Sequence, residues 1–272
     1  MDLTTTVSLL LLLQLLGLCN AHHGKHHDAD NEIKSAEDDI TTTILRMNNG
    51  SSDFLFEGDV LIPNTRSAMK CFNDNYSCLW PKSGNGNVEI PYVVSEKYDY
   101  TERNEILKAM KDMESKTCIR FIPRGRVRVY LSIEPRYGCS SLLGRIGDKQ
   151  VVSLQKFGCI NHGIIQHELL HALGFYHEHN RNDRDKYVRI NMGNIIEDFQ
   201  SNFKKKPASN DLNTPYDYSS VMHYGKSAFA KLGLESITPI PDNSVPIGQR
   251  DGLSEIDVLR INRLYRCWNH IG

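Results

Sequence analysis

His167-Glu168-Leu169-Leu170-His171-Ala172-Leu173-Gly174-Phe175-Tyr176-His177 is the stretch that decides how this chain folds and what it can do. Residues four apart share one face of a helix, so His167 and His171 aim both imidazoles at one ion, with Glu168 beside them at the open side of the metal. A structural zinc takes four protein ligands. A catalytic zinc keeps one position for water, so a third His completes the protein set. Continued helix would carry His177 to another part of the surface, and Gly174 supplies the backbone freedom to turn the chain back toward the ion. Zinc lowers the pKa of its bound water to about 7 and polarises a carbonyl, while Glu168 takes the proton and later delivers it to the leaving amine. That chemistry is peptide-bond hydrolysis. A lone His on an apolar helix face is ordinarily a satisfied core residue, and a five-residue zinc motif does arise by chance. Three His at these offsets, together with the Glu and the Gly, are a far narrower pattern.

Toward the amino terminus, Val7 to Leu18 form an apolar run broken by one Gln, followed by Cys19-Asn20-Ala21. The small residues suit signal-peptidase cleavage after Ala21, and the run is too short to span a bilayer. The segment before it carries Asp2 and no Lys or Arg, so only the terminal amine supplies positive charge. Residues 1–21 are therefore read as a signal peptide. No later segment has the length of a membrane helix, so a soluble product without a membrane anchor is expected, secreted by way of secretory granules. His22 to about Gly58 is polar, poor in aromatics and unable to form a core alone, which marks residues 22–66 as a propeptide. The His22-His23-Gly24-Lys25-His26-His27 cluster is assigned no function, since such tracts are mostly solvated tails. Pro63-Asn64-Thr65-Arg66 reads as an exposed processing site for a trypsin-like protease, leaving a catalytic domain at 67–272.

The formal net charge of −1 conceals a division. His22 to Arg66 holds nine acids against four bases, and the remainder from Ser67 carries a formal +5. An acidic leader on a mildly basic body fits a segment lying against its own domain, and +5 is too little to imply nucleic acid as a partner. Six cysteines follow the signal: Cys71, Cys78, Cys118, Cys139, Cys159 and Cys267. In an exported chain they read as three disulfides, with fifteen pairings open.

Alternation in Val88–Val94 and Val127–Ile133 predicts strands. Helical spacing of Ile106, Met110 and Met113 predicts a helix over Thr101–Lys116. Further helices are expected from about Ile164, over Gly193–Phe203, and from Ser254, an N-cap with Asp257 at its third position. The pattern is α+β, a sheet covered by helices. Ser209 to Gly252 is rich in Pro, Gly and Asn and lacks periodicity, which points to active-site wall rather than linker.

His167 to His177, continued by Glu178-His179-Asn180-Arg181-Asn182-Asp183-Arg184-Asp185, resembles the extended zinc signature of the astacin family of metzincins. Ser220-Val221-Met222-His223-Tyr224 resembles that family's methionine turn, and the match runs from Cys71 to Cys267. The resemblance implies a two-lobed, zincin-like catalytic domain with a twisted sheet, an active-site helix and a cleft between lobes. It implies one zinc held by His167, His171 and His177, with Glu168 as catalytic base. Met222 would form an apolar floor under the metal. Tyr224 would be a detachable extra ligand whose phenol stabilises the oxyanion, although the residues alone make it as readily a packed aromatic. Disulfides Cys118–Cys267 and Cys139–Cys159 fit the family framework, leaving Cys71 for Cys78. Ala68 to Pro81 resembles the start of the fish hatching enzymes, the choriolytic astacins, which implies egg-envelope glycoproteins as substrate. Relatives with a non-hatching substrate share much of this stretch. Phe56-Glu57-Gly58-Asp59 resembles the motif by which astacins silence themselves, with Asp59 as the metal ligand of the precursor; on the residues alone, a plain Gly-Asp turn is the commoner reading. Asn49 and Asn75 open glycosylation sequons, and a monomer is expected.

Two other classes compete with a secreted endopeptidase: a binding module that retains zinc without catalysis, and a zinc hydrolase of small molecules or esters. Glu168 argues against the first, since a pure binder needs no base at the metal. The long wall segment and the propeptide argue for polymeric protein substrates.

Overall fold

The computed structural model describes residues 39–51, 55–61, 78–207 and 210–270. Expectations for residues 1–21, the His cluster, Arg66, Cys71 and Asn75 lie outside these residues.

Helix α1 (Ile40–Asn48) starts at Asp39, whose carboxylate accepts from the N–H groups of Thr41 and Thr42 at 3.0 and 3.1 Å. Ile40 and Ile44, four apart, point together into the main core, and burial of each is worth about 2 kcal/mol. Sequence reading made this region only a polar stretch. Its short apolar stripe, Ile40, Ile44 and Met47, is covered by the rest of the domain rather than by the segment itself. A short hairpin follows, β1 (Leu55–Phe56) and β2 (Val60–Leu61), joined by Glu57-Gly58-Asp59.

The central sheet continues with β3 (Val88–Val94), then helix α2 (Tyr100–Lys116), β4 (Ile119–Pro123), β5 (Tyr130–Glu134), β6 (Cys139–Leu142) and β7 (Lys149–Leu154). Its order is β1-β2-β6-β7-β5-β3-β4. Strands β3, β4, β5 and β7 run parallel, and β6 turns back antiparallel to β7. Hairpin strand β2 joins the edge of β6 in parallel register, Val60 opposite Ser141. Helix α2 crosses from β3 to β4 and is opened by a reciprocal Asp99/Glu102 capping box. Helix α3 (His162–Ala172) carries the zinc motif, and beyond it lie the paired strands β8 (Val188–Ile190) and β9 (Ile237–Pro239) and helix α4 (Glu255–Leu264). Ser254 and Asp257 form the capping box expected at α4.

Two expected elements differ. The strand foreseen from Val127 begins only at Tyr130, because Val127 closes a turn onto Arg124 through Gly125, whose φ is +58°. The helix foreseen over Gly193–Phe203 is instead two 3₁₀ pieces, Met192–Asn194 and Glu197–Phe203. Ile195 bridges to Ala230 and the Ile196 N–H bonds to the Phe229 carbonyl, so the chain must be extended between the pieces.

Two hydrophobic clusters result. The larger joins sheet, α2 and α3 through residues such as Ile90, Ile106, Met110, Ile133 and Leu169. The smaller, Val188, Ile195, Phe203, Tyr216, Tyr224, Ala228 and Ile237, comes from the later part of the chain, including the unpatterned wall segment. This is the expected α+β arrangement. Disulfides Cys118–Cys267 and Cys139–Cys159 are formed, the first spanning 149 residues of sequence. Cys78 is also disulfide-bonded.

Candidate metal centre

Asn161 caps α3 by accepting from the Gly163 N–H, and the helix ends in paired bonds from Gly174 N–H to the His171 carbonyl and from Phe175 N–H to the Leu170 carbonyl. That closure needs a left-handed residue at Gly174, where φ is +102°. The turn brings His177 back beside the helix, with its ring centroid 5.2 Å from that of His167 and 4.7 Å from that of His171.

Each ring is aimed by its far nitrogen. His167 Nδ1 donates to the Val221 carbonyl, His171 Nδ1 to the Phe175 carbonyl and His177 Nδ1 to Glu57 Oε2, all at 2.8 Å. Carbonyl and carboxylate oxygens only accept, so Nδ1 carries the proton and Nε2 offers its lone pair inward. The three Nε2 atoms meet at Asp59: His167 and His177 lie 3.0 and 3.2 Å from Oδ2, and His171 lies 3.4 Å from Oδ1. One ligand atom from each of these four buried residues falls within 4.8 Å of the others. Among the described residues Asp59 Oδ1 and His171 Nε2 have no hydrogen-bond partner, although both are buried. Three imidazole nitrogens and one carboxylate oxygen suit tetrahedral zinc, and a cation at their centre would satisfy these atoms.

Burial would raise the Asp59 carboxyl, but the electrostatic influence of His177, His171 and His167 around it outweighs burial and holds it well below the usual range. Glu168 is the opposite case: burial, then the charge of Asp59, pushes it well above the usual range. Neither Glu168 oxygen has a hydrogen-bond partner among the described residues. A buried, unpaired carboxyl beside a metal site is what a proton carrier requires.

The methionine turn is tied to the ligands by backbone. Asp257 accepts from the Ser220 hydroxyl at 2.7 Å and the Val221 N–H at 3.0 Å, while the Val221 carbonyl orients His167. Met222 is buried in the larger cluster, and its carbonyl accepts from the Glu178 N–H just past the third ligand. Tyr224 is fully enclosed, stacked on His179 at 3.8 Å and 4.6 Å from the His177 ring. Its phenol donates to the Glu57 carbonyl, so in this form it is engaged by the β1–β2 hairpin.

That hairpin turn is closely fitted. Gly58 has φ +89°, and a Cβ there would lie 2.5 Å from Leu45 and 2.8 Å from Phe229, so glycine is required by conformation and by space. Asn48 of α1 bonds the Gly58 carbonyl and both main-chain groups of Cys139, fixing the turn against β6. Phe56 is half-buried, with the Lys206 ammonium 3.9 Å from its ring. The grip comes from Glu57, which is fully buried and which sequence reading passed over. Glu178 was also missed. Its buried carboxylate takes two bonds from Arg260, at 2.5 and 2.8 Å, and one from the Asp217 N–H, bracing the segment of the third ligand against α4. The only sequence signal for either was position, two residues before Asp59 and one after His177. Asn49 is exposed at the end of α1.

Three histidines on a helix and the turn that follows it, with a buried glutamate next to the first, define a zinc metallopeptidase centre. The family model for the astacin peptidases matches residues 75–266. The chain belongs to that family and is a zinc endopeptidase. It is 55% identical to the low choriolytic enzyme of Oryzias latipes over 273 residues, 98% of this chain and 100% of that one. It is 48% identical to high choriolytic enzyme 1 of the same fish, across 97% of this chain and 98% of the relative. The solved structure of high choriolytic enzyme 1, described as a hatching enzyme zinc-protease, superposes with a TM-score of 0.69 at 53% identity, covering 74% of this chain and 100% of that one.

Proposed function

We propose that this protein is a secreted endopeptidase precursor, with signal peptide 1–21, propeptide 22–66 and catalytic domain 67–272, that digests egg-envelope protein after a trypsin-like protease cuts near Arg66. The observation that carries the latency is the Asp59 carboxylate, 3.0 to 3.4 Å from the Nε2 atoms of all three histidines. A carboxylate in that position fills the place a substrate needs. The hatching substrate is supported by 55% identity, over nearly the whole length, with a relative named for choriolysis. Export is supported by the amino-terminal apolar run and the disulfides. No helix among the described residues is long and apolar enough to cross a membrane.

In the processed form, His167, His171 and His177 would hold zinc, which would supply Lewis-acid activation of water and of the substrate carbonyl. Glu168 would accept a proton from the attacking water and return it to the leaving amine. Tyr224, freed from the Glu57 carbonyl, donates to the oxyanion.

A digest of a peptide library and of egg-envelope protein tests this reading directly. Internal bonds should be cut by the processed protein, cutting should stop with a zinc chelator, and added zinc should restore it, since neutral His ligands keep the metal only above its dissociation constant. Release of single terminal residues, or activity indifferent to chelation, would contradict it; envelope protein left intact while peptides are cut would favour a non-hatching substrate. For Tyr224→Phe, the catalytic rate should fall by about 10- to 1000-fold with KM little changed, because a phenol used on the oxyanion acts only in the transition state. A change confined to KM would make Tyr224 a binding or packing residue.

A further inference from the structure

We propose that Lys206 and the Nδ1–H of His177 form a subsite for an acidic side chain of the substrate, flanking the bond that is cut, and that Glu57 fills it in the precursor. The proposal rests on the reading of this chain as a peptidase whose propeptide is removed.

Every polar group of Glu57 is bound by the region read as the catalytic domain. One carboxylate oxygen is 2.8 Å from His177 Nδ1 and the other 2.8 Å from Lys206 Nζ. The main-chain N–H donates to Asn202 Oδ1 at 3.2 Å, and the carbonyl accepts from the Tyr224 phenol. The residue has no exposure to solvent and sits at φ +54°, a left-handed conformation that glutamate adopts only when its surroundings dictate it. A turn that merely obstructed an active site would have no use for such a side chain. Burying a carboxylate costs several kcal/mol unless charge and hydrogen bonds compensate, and both are supplied here from the far side of the contact.

Those compensating groups stay behind when the propeptide leaves. Lys206 is fixed by its main-chain N–H, which bonds the Asn180 carbonyl at 2.8 Å, and its ammonium lies 5.5 Å from the Tyr176 ring. The His177 ring offers Nε2 to the metal site, so its Nδ1–H remains a donor that wants an acceptor. A cation and an N–H beside a metal ligand select a carboxylate through two charge-assisted bonds. The Tyr224 phenol, which holds the carbonyl of Glu57, marks the subsite as adjacent to the reacting carbonyl, and Asn202 would pair with the substrate backbone as it pairs with the backbone of Glu57.

The test uses protein processed from the full chain and peptide pairs that differ only by Glu or Gln at each of the two positions on either side of the cut. At one position Glu should be favoured about tenfold in kcat/KM, the worth of one charged hydrogen bond. Lys206→Met should bring that ratio close to one, and Lys206→Arg should keep it. A ratio taken within one variant cancels any general loss of activity, and the wild-type ratio alone decides the matter if the Met variant does not fold. Equal rates for Glu and Gln at every position, or a preference that survives Lys206→Met, would overturn the subsite and leave the peptidase reading standing. Failure to cut any peptide would overturn both.

Discussion

Glu168→Gln should lower the catalytic rate of the processed protein by about 100- to 10,000-fold, the span that a positioned general base contributes, while zinc content stays at one per chain. Glu168 lies one residue beyond a ligand, is wholly buried, and has no hydrogen-bond partner for either oxygen among the described residues. Gln keeps the shape and removes only the ability to accept and return a proton. Zinc should be unaffected because the four-atom ligand cluster does not include Glu168. Metal analysis alongside kcat separates the two effects. A variant that keeps zinc and near-full activity would remove Glu168 from the mechanism.

A precursor made uncleavable at Arg66 should have negligible activity, and adding Asp59→Ala should raise it by about tenfold or more without any cut, by shifting the population toward forms with an accessible metal. The gain should fall short of full activation. In the Asp59 variant, Glu57 still bonds His177 and Lys206, its carbonyl still engages Tyr224, and β2 still pairs with β6. Ile40 and Ile44 still anchor α1 in the core. Combining Asp59→Ala with Glu57→Gln should therefore release more activity than either change alone. A double variant that remains folded, zinc-loaded and silent would place inhibition in steric cover by the segment, not in these carboxylates.

How much of this was legible beforehand depended on the range of the interactions involved. The helix of His167 and His171, the return at Gly174 and the cap at Ser254 are local, with periodicity or turn chemistry written into a few consecutive residues. All stand in the structure. Helix α1 was not legible, because its two buried isoleucines are complemented by residues distant in sequence. The extended link at Ile195 depends on Ala230, 35 positions on, so a helical pattern yielded to a bridge that periodicity cannot see. In the site, the grouping of His167, His171 and His177 was readable from spacing, as was the place of Glu168 beside the first of them. Asp59 was readable only through resemblance. Glu57, Lys206 and Glu178 act through partners up to 149 residues away in sequence, as Glu57 does with Lys206. A buried charge of that kind leaves no periodic trace in its own neighbourhood.

The most direct measurement of the central claim is proteolysis of an unfolded protein substrate by the zinc-loaded chain before and after limited trypsin treatment, the trypsin being blocked by a serine-protease inhibitor before substrate is added. The Glu168→Gln variant is carried through the same steps. Internal cleavage should appear only after treatment, and only in the chain that retains Glu168. Equal cleavage before treatment, or equal cleavage by the treated Glu168→Gln variant and the treated wild-type chain, would contradict a zinc endopeptidase held silent by its own propeptide.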